Sequence, residues 1–381
     1  MTESLNAILV LEDGSVWIGK GFGYPKRVIG EVVFNTGMTG YTEALTDPSY
    51  RGQILVMTYP LIGNYGVPSY NIKDSWGLPL HFESERIQVN GLVVYEACDA
   101  PSHVLSKKSL HEWLYEEKVP GIQGIDTREL TKRLRSKGVM MGILEVSQND
   151  ISIDNLINEL KNTKRYDEIK FAHEVSTKKP IIYGNGNETI VLIDCGVKVS
   201  IIRNLIEKGF RVIRLPYNTN IDEVLAYNPK GIVLSNGPGN PRSFTETIEL
   251  TRQLIDMNIP IMGICLGNQI LALGMGADTF KLKYGHRGQN KPSINLITKK
   301  SYVTSQNHGF AVNPDSLKNT GLEVWWINAD DKTVEGIKHK NKPILAVQFH
   351  PEASPGPYDT LFVFDIFREK IHKHNMVRIY A

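Results

Sequence analysis

From Thr189 onward the chain alternates short apolar runs with amphipathic ones, and this alternation restricts its fold more than any other feature. IVLID (190–194), RVIRL (211–215), GIVLS (231–235) and IPIMGI (259–264) read as buried strands. Between and after them, VSIIRNLIEKG (199–209), IDEVLAYN (221–228), FTETIELTRQLIDM (244–257) and NQILALGMGA (268–277) read as helices. Such a pattern implies a doubly wound, mostly parallel α/β sheet, and ligands on such sheets bind beyond the carboxyl ends of the strands. Three loops leave strands at that edge: SNGPGNP after GIVLS, the turn through MGICLGNQ, and HPE after ILAVQF.

The middle loop places Cys265 on a strand-to-helix turn between Gly263 and Gly267. Glycine on either side lets the turn be tight and keeps side chains off the central residue, as in the G-x-S-x-G nucleophile elbow with a thiol in the serine's place. A helix start also favours the thiolate, the nucleophilic form. The competing reading is a buried structural thiol, which acts as a small hydrophobe. A nucleophile needs a base and an orienting carboxylate, and His350 and Glu352 supply both from the third loop. Taken alone, HPE reads better as a surface histidine beside a glutamate; paired with the Cys265 turn on the same sheet edge, it reads as base and carboxylate.

In the first loop, Gly237 and Gly239 offer backbone N–H groups that could join the N–H of Leu266 in an oxyanion hole, although an ordinary Gly/Pro turn has the same composition. Gln269 lies one turn into the helix, and Asn307, Gly309 and Phe310 follow a strand-like run in SQNHGF. Amide and main-chain groups of this kind suit a zwitterionic amino acid. His308 reads as structural, with no evident partner carboxylate, and Cys195 as a packing residue at a strand end.

Residues 1–150 carry short β-type runs, AILVLEDGSVWIG, GEVVFNTGM, QILVMTYP and VNGLVVYEA, and form a β-rich α/β domain with a few helices. One helix starts at DTRE, with Asp126 as N-cap and Glu129 reaching back in a capping box. Arg128, Lys132 and Arg135 then share one face, which reads as a solvated basic stripe or, as the alternative, a docking surface. Residues 151–188 turn polar and form a junction before the second domain, 189–381.

Composition removes several classes of function. A net charge of +2 across 381 residues gives no reason to expect a nucleic-acid or membrane partner. No apolar run is long enough to span a bilayer, and the opening residues read as neither a signal nor a transit peptide. Three widely separated cysteines point to neither a disulfide framework nor a zinc site, so no metal is expected. There is no phosphate loop and no complete dinucleotide fingerprint, so any ATP chemistry falls to another chain.

SNGPGNP, GICLGNQ, SQNHGF and QFHPEASPGP together resemble the triad-type glutamine amidotransferases. GEVVFNTGMTGYTEALTDPSYRGQILVMTYPLIGNYG and GIDTRELTKRLRSKG are similar to the specific domain of the small, glutamine-hydrolysing subunits of carbamoyl-phosphate synthetases. The resemblance implies a class I amidotransferase domain in which Cys265, His350 and Glu352 hydrolyse L-glutamine. It implies glutamine contacts at Ser49, Gly237, Gly239, Leu266, Gln269, Asn307, Gly309 and Phe310, with Ser49 putting the site near the domain interface. It also implies a large-subunit partner that receives the ammonia and alone carries ATP and Mg, no cofactor being expected in this chain. Asn268 departs from the pattern, since similar proteins commonly have His there. The resemblance implies a cytoplasmic protein in a bacterium, and the richness in Lys, Asn and Ile is compatible with an AT-biased genome and a plastid setting. Two other readings remain: a stand-alone cysteine hydrolase of glutamyl substrates, and a non-catalytic binding subunit.

Overall fold

The computed structural model describes residues 5–380. The chain divides into two compact units, Met1–Ile169 and Lys170–Ala381.

The first unit is built on a closed seven-stranded barrel. Around the barrel run Asn6–Leu11, Val16–Gly23, Pro120–Gln123, Gly91–Val93, Gln53–Met57, Arg27–Asn35 and Met140–Ser147, the last pairing back on the first. Closure leaves no sheet edge with unpaired N–H and C=O groups. Val33, Leu55, Leu92, Phe82 and Trp113 fill the core between the barrel and its helices. On the helix Thr127–Lys137, Asp126 accepts from the N–H of Glu129 at 2.8 Å. The expected reciprocal half of the capping box is absent, because the Glu129 carboxylate turns to Lys132 Nζ at 2.9 Å. The polar stretch after this barrel contains the helix Ile153–Lys161, capped by Ser152.

The second unit is organised on a ten-stranded sheet. At its centre, Phe210–Pro216, Glu188–Asp194, Gly231–Leu234, Ile261–Ile264 and Ile344–Val347 lie side by side and parallel. Helices Val199–Glu207, Ile221–Leu225 and Thr245–Asp256 join the first four of these in chain order, as the alternating sequence requires, and Leu266–Gly274 leads from Ile261–Ile264 to the strand Thr279–Asn295. Ile181–Tyr183 adds an antiparallel strand beside Phe210–Pro216. Beyond Ile344–Val347 the sheet continues antiparallel through Val334–His339, Leu322–Asn328, Thr279–Asn295 and Ser301–Val312. The parallel strands are apolar and almost wholly buried, as expected when both faces are covered.

SQNHGF does not follow a strand. It lies inside the twelve-residue strand Ser301–Val312. Register shifts between Lys281/His286 and Gly288/Lys291 bend its partner strand opposite this segment.

Candidate active site

The strand Ile261–Ile264 ends directly at Cys265, and the helix Leu266–Gly274 begins with the next residue. Cys265 makes the turn alone, at φ 55° and ψ −104°, a conformation that costs a non-glycine residue about 1–3 kcal/mol. The flanking glycines are required by contact. A Cβ on Gly263 would lie 2.5 Å from the carbonyl oxygen of Gly267, and one on Gly267 would lie 2.1 Å from that of Leu234. The thiol is 2% exposed, and its Sγ reaches the carbonyl oxygen of Asn307 at 3.5 Å.

The third loop runs beside it: the N–H of Cys265 donates to Val347 O, and that of His350 to Ser305 O. His350 Nδ1 meets Glu352 Oε1 at 2.6 Å, and both side chains are buried. A carboxylate there requires a proton on Nδ1, which leaves Nε2 as the nitrogen that can take up and release a proton. Nε2 makes no conventional hydrogen bond among the described residues. Burial alone would lower the His350 pKa. The negative charges of Glu352 and Cys265 outweigh it and push the imidazole up to about 10. For Glu352, burial raises the pKa, but Lys198 and His350 overcome it and hold the carboxyl at about 2.

Lys198 extends this arrangement and was not singled out from the sequence. Its Nζ lies 3.1 Å from Glu352 Oε1 and donates to Ala353 O at 2.9 Å. A lysine 4% exposed within apolar sequence was the available signal, since buried lysine is almost always paired. Gln348 was missed as well. Its Oε1 accepts from Asn268 Nδ2 and Gln269 Nε2, each at 3.1 Å, and its Nε2 lies 3.7 Å from Cys265 Sγ. It stands two residues before His350, directly after the strand Ile344–Val347.

The remaining sequence-derived residues divide between the two units. Gly237 packs against the Cys265 turn: its Cβ would meet the Cys195 carbonyl oxygen at 2.1 Å and Leu266 Cδ2 at 2.8 Å. Gly239 has φ 86°, a left-handed conformation that favours glycine. Gln269 donates its amide to Phe310 O at 2.8 Å as well as to Gln348, so it ties the helix to Ser301–Val312. Asn307 pairs with Arg287 across the antiparallel sheet, and Gly309 lies beside that guanidinium. Cys265, Leu266, Gln269, Asn307 and Phe310 are thus joined by direct bonds and chain neighbours. Ser49 belongs to the first unit, buried in the turn Pro48–Tyr50 with its N–H on Asp47 Oδ1 at 2.9 Å.

Asn268, bonded to Gln348, is fully buried, and its Oδ1 has no partner among the described residues. His308 has a nearby carboxylate after all: its Nε2 lies 3.9 Å from Glu335 Oε1, while Nδ1 meets Phe310 O at 2.8 Å. Burial, reinforced by the charge of His286, holds His308 well below the usual histidine range and therefore neutral. His286 stands between Asp331 at 2.8 Å and Glu335 at 3.4 Å; burial lowers its pKa, and the carboxylates more than reverse that. His286, His308 and Glu335 each offer one potential metal-ligand atom within 4.8 Å of the others. Cys195 is fully buried in the parallel-sheet core, and burial pushes its thiol pKa upward, as befits a packing residue.

Two family models match the chain. "Glutamine amidotransferase class-I" covers residues 191–370, and "Carbamoyl-phosphate synthase small chain, CPSase domain" covers residues 9–144. A carbamoyl phosphate synthase small chain of Methanopyrus kandleri is 48% identical over 97% of this chain and 100% of its own length. That of Methanocaldococcus jannaschii is 50% identical over 95% and 98%. That of Pyrococcus furiosus is 49% identical over 94% and 96%.

Proposed function

Since the chain belongs to the carbamoyl phosphate synthase small-chain family and is its glutamine amidotransferase subunit, we propose that Cys265, His350 and Glu352 carry the glutaminase half-reaction. The observation that supports this most is the buried line from Lys198 through Glu352 to His350, beside the strained Cys265 turn.

The Cys265 thiolate attacks the side-chain amide carbon of glutamine, forming a C–S bond and a tetrahedral oxyanion. Main-chain N–H groups of Leu266, Gly237 and Gly239 receive that oxyanion; each such donor is worth about 10²–10³ in rate. His350 gives its Nε2 proton to the departing nitrogen, and the C–N bond breaks to release ammonia and leave a glutamyl thioester. Neutral His350 then takes a proton from water as the hydroxide attacks the thioester carbon. The C–S bond breaks, glutamate leaves, and the thiolate and imidazolium are restored. Gln269, Asn307, Gly309 and Phe310 orient the amino acid.

The ammonia passes to a large subunit that carries ATP and Mg and joins it to bicarbonate as carbamoyl phosphate, for arginine and pyrimidine synthesis. Among the described residues no helix is long and apolar enough to cross a membrane. The subunit role fits a bacterial cytoplasm or a plastid stroma.

The test is glutamine hydrolysis and carbamoyl-phosphate synthesis by the chain with its large subunit, wild type against Cys265→Ser. Glutamine-dependent synthesis disappears in the variant, and ammonia-dependent synthesis remains. Loss of both activities in a correctly assembled variant would overturn the role given to Cys265.

A further inference from the structure

The helix Thr127–Lys137 in the first unit carries two cationic faces with different surroundings. On one, Arg133 and Lys137 converge on Asp13 at 2.7 and 3.0 Å, so their charge is answered within the unit. On the other, Arg128, Lys132 and Arg135 stand at successive turns and are all exposed. Lys132 has one exposed partner, Glu129, and neither arginine has an ion pair or hydrogen bond among the described residues.

These three cations line a cavity of about 620 Å³ together with Thr58, Pro60 and Tyr95. Tyr95 is 53% exposed although its neighbours on the chain, Val94 and Val93, are wholly buried. A concavity with an exposed tyrosine and unpaired arginines has the composition of a protein-binding hot spot. The helix start is not an open anion site, because the Asp126 carboxylate, which also lines the cavity, caps the N–H of Glu129 and places a negative charge at that end.

We propose that this cavity docks an acidic segment of the synthetase large subunit, an inference that rests on the subunit assignment above. Arg128, Lys132 and Arg135 lie about 6 and 4.5 Å apart along the helix axis, from the 1.5 Å rise per residue. The matching surface carries carboxylates at similar intervals, with an apolar side chain against Tyr95 and Pro60. The contact speeds association and sets register more than it adds raw affinity.

The experiment titrates the purified large subunit with the full-length chain at low and physiological salt, comparing wild type, Arg128→Glu/Arg135→Glu and Arg128→Gln/Arg135→Gln. A charge reversal on the second unit, Arg252→Glu, is the control, since among the described residues Arg252 pairs only with Glu249, on an exposed surface. Docking at the cavity makes the Glu variant bind at least about tenfold more weakly, mostly through slower association, and flattens its salt dependence. The Gln variant falls between, and basal glutaminase of the isolated chain is unchanged in all. Equal affinity and equal salt slope for wild type and both variants overturn the proposal while leaving the subunit assignment standing. Failure of the wild type itself to bind any large subunit instead overturns that assignment. Saturable binding of inorganic phosphate or ATP by the wild type, lost in the Glu variant, overturns the acidic-segment occupant in favour of a small anion.

Discussion

Lys198 Nζ lies 3.1 Å from Glu352 Oε1, and neither side chain is more than 5% exposed. The same oxygen meets His350 Nδ1, so one carboxylate atom is shared between a fixed cation and the His350 imidazole. Lys198 is thereby a positioning residue: it keeps Glu352 ionised and aimed.

Replacing Lys198 with Met leaves the buried Glu352 without the cation that does most to lower its pKa. Breaking a buried pair from one side costs about 3–5 kcal/mol of stability. The acid limb of the glutaminase pH profile should move to higher pH, because Glu352 protonates earlier without its cation. A variant with a weakened fold but an unmoved acid limb would restrict Lys198 to packing.

The pH dependence of stability has two arms of opposite sign. Glu352 is depressed from 4.5 to about 2, so its contribution is present above 4.5 and is lost as pH falls through about 2. His350 is raised from 6.5 to about 10, so its contribution is complete below 6.5 and is lost as pH rises through about 10. Urea unfolding of wild type and His350→Gln should differ by a few kcal/mol, as an order of magnitude, at pH 6 and converge toward pH 10. A gap that does not change over this range contradicts the ion pair.

Cys265→Ser removes one of the two charges that raise His350. The imidazole of the variant should therefore titrate at lower pH than in the wild type, followed by NMR of the His350 ring carbon. An unchanged titration would mean that the sulfur carries no charge beside the ring.

Gln348→Leu takes the acceptor away from two buried amide donors, Asn268 Nδ2 and Gln269 Nε2, at about 1–3 kcal/mol each. Gln269 is proposed to orient substrate, so KM for glutamine should rise more than kcat falls. A fall confined to kcat would place Gln348 on the reacting thiol instead.

Gly267→Ala sets a Cβ against the Leu234 backbone at 2.1 Å, where nothing flexible can yield. It should destabilise the fold by about 1–3 kcal/mol and abolish glutaminase activity. Gly274→Ala on the same helix meets first a Thr251 methyl at 3.0 Å and should be far milder. Thermal melts of both variants, with activity, separate the two contacts.

The sheet edge that holds the site was legible because parallel strands are short, apolar and separated by helices of a different period. Cys265 and His350 announced themselves through neighbours, two glycines and a nearby carboxylate, that are local in the chain. Lys198 and Gln348 did not, because each is a single polar residue whose partners come from segments roughly 80 to 155 residues away. The antiparallel flank was obscured for another reason. Thr279–Asn295 is a long strand whose two register shifts break the alternation by which strands are recognised. The incomplete capping box at Asp126 shows a similar limit, since Glu129 had two partners within reach and the spacing could not choose between them.

At the Cys265 turn the nearest contacts of three glycines are backbone carbonyls. Gly267 bears on the Leu234 carbonyl, Gly237 on that of Cys195, and Gly263 on that of Gly267. Strand ends seated backbone to backbone behave as one machined jig: the loop bearing the proposed oxyanion donors cannot shift without carrying Cys265 along. Adaptation to a substrate of another size would have to come from the walls around this jig, because the gap between thiol and donors has no play.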